Sequence, residues 1–263
     1  MKMVSIKFVA DYPALYIADI KCLIITDLHI GLETELIKSG IKIHKQIEKF
    51  KDILDKLIDL TGAKLLVILG DVKHKVPGVT MQELRDIPKF LDYLSKKVKV
   101  VIAKGNHDDY LETLVPSGVK IYSSKGFRIG RYGFFHGHGW PSKKLIKCDY
   151  LFIGHIQPSV EFRDNFGYRN RQQVWLKGHL NQPVVKKKYK VNSTGKLNIV
   201  VVPSFNNLIG SLNVMSKEDL SGPLLTNNAM NLEEMKVYLL DGTYLGEIKL
   251  LKKRFQKFLL ALT

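Results

Sequence analysis

Cysteine is nearly absent, with two among 263 residues. Cys22 and Cys148 each adjoin a predicted buried strand, so they read as small core residues in a reducing compartment. That excludes a disulfide framework and a cysteine metal knuckle. Long apolar runs are missing too. Leu65 to Leu69 and Phe258 to Leu262 fall far short of the roughly 20 residues that span a bilayer. The N-terminus alternates apolar and charged residues and has no signal-peptide core, which predicts a cytoplasmic protein with no membrane partner. Repeats, low-complexity tracts and clear linkers are also lacking. One domain over 1–263 is therefore expected, with a motif-bearing core of about 21–215 and a C-terminal part of about 216–263 completing it. Acidic residues are the scarce charge: 25 Asp and Glu against 41 Lys and Arg, a formal net charge of +16. Such a surface suits a polyanionic partner, DNA or RNA first. The plainer alternative is a soluble, lysine-rich surface of the kind thermophiles favour.

What is present is an α/β pattern. Lys21 to Thr26, Lys64 to Leu69 and Val98 to Ala103 are short apolar runs of the buried-strand type. Ile43, Ile47, Phe50, Leu54, Leu57 and Ile58 recur at helical spacing and predict a helix over Ile41 to Leu60, ended by Thr61-Gly62. Met81 to Lys97 predicts a second helix, interrupted near Pro88. Alternation of strand and helix implies a parallel sheet with right-handed crossovers. Val4 to Val9 and Ala14 to Ala18 predict an opening hairpin. Beyond Asp109 short strands dominate, with hairpins around 164–167 and at Asp241-Gly242, and a short basic helix is expected over Leu251 to Leu262.

The ends of these strands carry the chemistry. Read in order they deliver Asp27 and His29, Asp71, Asn106 and His107, His136 and His138, then His155. For any single histidine the ordinary reading is a core residue bonded to backbone. Eight polar groups at one sheet edge need more, because each left unpaired would cost roughly 1–3 kcal/mol. A pair of divalent cations satisfies them together, and Asp71 can place one carboxylate oxygen on each. Mixed Asp, Asn and His ligands suit Mn, Fe or Zn better than Ca. Two such ions about 3.5–4 Å apart activate a shared hydroxide and hold phosphate oxygens.

The ordered series DLH, GD, GNHD, HGH and GHIQ, over residues 21 to 157, resembles the calcineurin-like metallophosphoesterases. The resemblance implies an α/β fold, a four-layer α/β/β/α sandwich with two central mixed sheets. It implies that Asp27 and His29 bind one metal, that Asp71 bridges, and that Asn106, His136 and His155 bind the second. His107 would be the catalytic histidine, stabilising the transferring phosphate or protonating the leaving group. Asp108 would orient that imidazole by accepting its other N–H. Two divalent ions are implied, Mn foremost, with Fe, Zn, Mg and Ni as alternatives. One residue departs from the pattern. Gln157 stands where the family usually has a further histidine ligand of the first metal; its amide oxygen can serve, or it can stay outside the shell. A one-metal or degenerate site is the corresponding alternative.

A narrower resemblance covers nearly the whole chain. ITDLHIGLE, LGDVKH, HGHGWP, VWLKG, VVPSFNNLIG and YLLDGTYLGEI look like the archaeal phosphoesterases described as related to the SbcD nuclease subunit. A bacterial branch of similar proteins is associated with DNA ligation and repair, which implies DNA-repair or helicase proteins as partners.

Further residues carry two readings each. His74, between Lys73 and Lys75, either touches a substrate phosphate or belongs to a solvated basic loop. His138 is a second layer behind the ligands or a substrate contact. Trp140 stacks on a base or simply packs. Arg163, with Arg169 and Arg171, lines the cleft or stays solvated. Asn206 bonds near the site or shapes a turn, while His44 and His179 belong on the surface. The function expected from these residues is a phosphodiesterase or nuclease acting on nucleic acid or nucleotides. The alternatives are a phosphomonoesterase on a small anionic metabolite and a non-catalytic nucleic-acid-binding subunit.

The charge yields a first test. Binding to DNA or RNA should fall by orders of magnitude as salt rises from about 50 to 200 mM if several phosphates are neutralised. A fluorescence-anisotropy titration insensitive to salt would leave the excess lysines as mere surface.

Overall fold

The structure, a computed structural model, describes residues 5–163, 166–216 and 222–253, except for the side chain of Arg163. Two sheets pack face to face with helices outside them. The first sheet begins with the predicted hairpin, β1 (Ile6–Phe8) and β2 (Leu15–Ile17). It continues through β3 (Cys22–Ile25), β4 (Leu65–Ile68), β5 (Lys99–Ala103) and β6 (Lys120–Tyr122), with β3 to β6 mutually parallel. Its outer face is covered by α2 (Ile47–Thr61) and α3 (Met81–Ser95), and the short α1 (Leu32–Lys38) follows the turn after β3.

The second sheet holds β7 (Phe127–Ile129), β8 (Tyr132–Phe134), β9 (Tyr150–Ile153), β10 (Pro158–Arg163), β11 (Arg169–His179) and, after α4 (Gln182–Tyr189), β12 (Asn198–Val201). The short β13 (Leu212–Asn213), then α5 (Pro223–Thr226), β14 (Lys236–Leu239) and β15 (Tyr244–Glu247) complete it. Within it β8, β9 and β12 run parallel, while β10, β11 and β14 make antiparallel pairs, so the sheet is mixed.

Strand alternation decides which residue faces which layer. Leu23, Ile25, Leu66, Ile68, Val100 and Ile102 meet Phe50, Leu54 and Phe90 of the helices. The residues between them, Ile24, Val67 and Val101, face inward against Phe134, Phe152 and Trp175 of the second sheet. Leu151, Ile153, Leu176 and Ile199 point to the far side and meet Val185 of α4 and Leu224 of α5. This is the expected four-layer α/β/β/α arrangement.

Several expectations at the element level need correction. The helix forecast from Ile41 begins at Ile47, and 41–46 is irregular. A separate helix, α1, precedes it, too short to give a periodic signal. Helix α3 is not interrupted at Pro88: it runs unbroken to Ser95. Burial of Ile87, Phe90, Leu91 and Leu94, with a capping box in which Thr80 and Glu83 bond each other's backbone, offsets the one lost hydrogen bond. Helix α4 carries too few apolar residues to be seen as a stripe. The terminal helix is described over 248–253, and its expected continuation lies outside the described residues.

The layer between the sheets gives a test. Phe152 is fully buried there, so Phe152→Ala should lower stability by about 3–5 kcal/mol in a denaturant titration. A loss below about 1 kcal/mol would mean that the sheets are not held by this contact.

Candidate metal centre and active site

Parallel strands end side by side, so β3, β4 and β5 bring Asp27, Asp71 and Asn106 to one edge. β8 and β9 of the facing sheet bring His136 and His155 to the same edge. The backbone there is bent sharply. Asp27, His29, Asp71, His155 and Gln157 all have positive φ, between 42° and 65°. None is glycine, so each holds a conformation that costs of order 1–3 kcal/mol unless its surroundings fix it. The surroundings do so. Asp27 N donates to Gly70 O, His29 N to Asp71 O, and Gly154 N to His136 O. Phe205 N and Asn206 N donate to Thr26 O and Asp27 O, and Asn206 Nδ2 donates to Leu28 O at 2.9 Å. Ser204 Oγ lies 3.0 Å from Asp27 O.

The side chains then converge. Asp71 Oδ2 is 3.5 Å from His29 Nε2 and 3.2 Å from His136 Nε2. Asp71 Oδ1 accepts from the His107 amide at 2.9 Å. His29 Nε2 is also 3.8 Å from Asp27 Oδ1. On the other side, His136 Nε2 is 3.2 Å from Asn106 Oδ1, while its Nδ1 donates to Leu69 O at 2.5 Å. That bond keeps a proton on Nδ1 and turns Nε2 toward the site. Donor atoms of Asp27, His29 and Asp71 lie within 4.8 Å of one another, as do those of Asp71, His136 and His155. Asp71 belongs to both groups. Gln157 is also present, with its Nε2 3.1 Å from Asp27 Oδ1 and 3.4 Å from His29 Nε2. Its amide nitrogen, not its oxygen, faces the Asp27 carboxylate.

Two glycines are required by this crowding. A Cβ on Gly105 would lie 2.1 Å from Asp71 Oδ1, and one on Gly154 would lie 1.9 Å from Thr26 Oγ1 and 2.8 Å from Asp27 Oδ2.

His107 reaches the cluster, with its ring centroid 4.7 Å from that of His29. The partner expected for it is different, however. Asp108 does not accept from His107; its two oxygens take the amides of Val72, Lys73 and Gly105 at 2.8 to 3.3 Å. Three backbone donors compete for this fully buried carboxylate, so it braces the turns after β4 and β5. His107 Nδ1 donates instead to the carbonyl of His74 at 2.6 Å. His74 is therefore part of the cluster and not a freely solvated loop residue. Its Nδ1 is 3.2 Å from His29 Nδ1 and its Nε2 is 2.7 Å from Glu35 Oε2.

The remaining forecasts divide. His138 stands behind the second group, with its ring 5.3 Å from His136 and 5.9 Å from His155. Its buried Nδ1 has no hydrogen-bond partner among the described residues. Beside it opens a cleft of about 590 Å³ lined by Asn106, Lys104, Tyr122, Ser123 and His138. Trp140 packs edge-on against Tyr189 and under Lys188, so it belongs to the α4 layer. Arg169 and Arg171 approach Glu161, and the side chain of Arg163 lies outside the described residues. Asn206 shapes the Asp27 turn. His44 and His179 are exposed.

Some contributors escaped the sequence reading. Lys73 is fully buried and pairs with Asp109. Glu83, also buried, accepts from the amides of His74 and Lys75 at 2.9 and 2.7 Å. The Thr80-x-x-Glu83 spacing was a legible signal for a cap, but the reach of Glu83 to a distant loop was not.

Charge accounts for why a metal suits this place. Asp27 and Asp71 are buried, yet among the described residues no Lys or Arg pairs with either. Burial alone would raise their pKa values. The His29 imidazole next to Asp27, and the His136 and His29 imidazoles next to Asp71, instead hold both below the ordinary carboxylate range. Conversely, burial would depress His136, but the Asp71 carboxylate outweighs it and raises that imidazole to about 9. His155, penalised by burial and by His136, is pushed down to about 4. The two buried carboxylates, neutral His155 and amide oxygen of Asn106 form a hard and borderline donor set suited to divalent ions.

Residues 20–231 match the family of calcineurin-like phosphoesterases, and the chain belongs to that family, whose members hydrolyse phosphate esters. Among solved structures, a nuclease of Pseudomonas putida, MPE, is similar with a TM-score of 0.54 at 18% identity, covering 89% of this chain and 92% of that one. The Escherichia coli phosphoesterase Yfce is also similar, with a TM-score of 0.40 at 17% identity over 86% of this chain and 97% of that one. The first likeness bears on the fold. No curated protein matches the chain significantly.

Two outcomes follow from this geometry. Gly154→Ala should displace Asp27 and weaken Mn binding at least tenfold by calorimetry; unchanged affinity would exclude Asp27 from the ligand set. Binding should also release protons. Because the His136 pKa is raised to about 9, its proton must leave before Nε2 can ligate below that pH. Mn affinity should therefore fall as pH drops from 8.5 to 6.5, with a heat that depends on the buffer's ionisation enthalpy.

Proposed function

We propose that the protein is a two-metal phosphodiesterase acting on nucleic acid or nucleotides, of the branch typified by the archaeal SbcD-related phosphoesterases. One observation carries this reading: a single buried carboxylate, Asp71, lies between His29 at 3.5 Å and His136 at 3.2 Å, as a bridging ligand must. Asp27 and His29 would hold one ion with Asp71, and Asn106, His136 and His155 the other. Such ions, Mn foremost, supply Lewis acidity toward phosphate oxygens and a water activated as nucleophile. The chain's own part is positioning. His107, whose Nδ1 is held by the His74 carbonyl, would use Nε2 to stabilise the phosphate's charge or to donate a proton to the departing alcohol. Asn106 and His138 border a cleft with room for the leaving group. The net charge of +16 favours a polyanionic diester over a small monoester. We take 1–263 as one cytoplasmic domain with repair or helicase proteins as partners.

A second reading rests on Gln157. Its amide nitrogen against Asp27 and His29 occupies the first site much as an ion would, which favours a single ion held by Asp71, Asn106, His136 and His155.

Metal counting after Mn loading separates the two readings. Two ions per chain, with faster hydrolysis of bis-para-nitrophenyl phosphate than of the monoester, support the proposal. Asp71→Asn should remove activity on both esters and on single- and double-stranded DNA and RNA, because both ions lose a ligand. Two bound ions with no diester cleavage would overturn it.

A further inference from the structure

We infer that His74 is a positioning residue that strengthens the first metal site through a directed hydrogen-bond chain from His29 to Glu35. The inference rests on the two-metal reading. His29 turns Nε2 toward Asp27 and Asp71, so an ion there takes that lone pair and the ring proton sits on Nδ1. Nδ1 faces His74 Nδ1 at 3.2 Å, and two ring nitrogens at that distance need one proton between them. His74 Nδ1 is then the acceptor, its own proton is on Nε2, and Nε2 donates to Glu35 Oε2 at 2.7 Å. The reverse order fails at both ends. It sets two lone pairs against each other at Glu35, and it places a proton on His29 Nε2 where the ion binds. Glu35, an acceptor only, therefore fixes the direction of the whole chain.

The loop that carries His74 is built to hold it still. His74 N donates to Ile30 O at 3.0 Å and to Glu83 Oε1 at 2.9 Å, and next door Lys73 is buried against Asp109 and the Gly78 carbonyl. The same residue's carbonyl takes the Nδ1 proton of His107. One residue thus sets the rings of a metal ligand, through its side chain, and of the catalytic histidine, through its backbone. A histidine that donates into a chain ending on a carboxylate is the stronger metal donor. That gain falls on the site where Gln157 replaces a histidine.

The test is Mn binding to the full chain, followed by calorimetry and by paramagnetic resonance of free Mn, for wild type, His74→Phe, Glu35→Ala and the double variant. Wild type should bind two ions. His74→Phe should weaken one of them about 10–100-fold and leave the other unchanged. Glu35→Ala should weaken the same ion less, since Glu35 is largely exposed, and should add nothing in the His74→Phe background. A residue acting only on the fold would instead weaken both ions or lower the melting temperature of the metal-free protein. Glu35→Ala, at the surface, keeps the test decisive if His74→Phe does not fold. Unchanged affinity in both single variants would overturn the inference. So would a third ion in wild type that His74→Phe loses, since His74 would then be a ligand. A single ion in wild type would refute the two-metal reading itself, and this role with it.

Discussion

Two buried carboxylates, with no lysine or arginine partner among the described residues, govern the organisation of this protein. Asp27 and Asp71 sit at the ends of neighbouring parallel strands, and an ionised carboxylate in such a place is costly unless compensated. Compensation comes from histidines of both sheets. His29 follows Asp27 on the first sheet, while His136 and His155 follow β8 and β9 on the second. The two sheets are therefore joined at their apolar faces by Phe134, Phe152 and Trp175, and at one edge by a cluster of carboxylates and imidazoles. The donor set is of the kind that divalent cations take.

Holding that edge together takes more than the converging carboxylates and imidazoles. Five site residues have positive φ; among them Asp27 and His29 are tied by bonds to the β4 turn, Asp27 also by the β9 turn and by the 204–206 segment after β12. Strain at one residue is thus fixed by groups distant in sequence, and no local substitution can relax it alone. Gly105 and Gly154 complete the arrangement by absence of a side chain, because a methyl group at either would occupy the space of Asp71 or Asp27.

A second layer of buried charge supports the first. Glu83 caps α3 and also holds the amides of His74 and Lys75. Lys73 pairs with Asp109, and Asp108 gathers amides from the β4 and β5 turns. These groups touch no ligand site directly, yet they fix the loop whose carbonyl orients His107. Family membership and this geometry agree on a phosphate-ester hydrolase. The +16 charge bears on what the ester is attached to.

Much of the site was legible because parallel strands of period two end at a common edge. A polar residue just past each apolar run therefore marks the same place in space, and Asp27, His29, Asp71, Asn106, His107, His136 and His155 were all readable that way. The core faces were readable for the same reason. Short or weakly apolar elements such as α1 and α4 were not, nor was the continuity of α3 past Pro88, since packing against the sheet overrides local propensity. The sequence by itself determined which donors gather and that a compensating charge is needed, because the order of strand ends and residue types suffices for that. Only the tertiary structure decided what each donor's other side touches: that Asp108 holds backbone and not His107, that the His74 carbonyl takes its place, and that Gln157 turns its nitrogen to Asp27. Those contacts join residues about 30 to 130 positions apart in directions set by the meeting of two sheets, and no spacing along the chain encodes them.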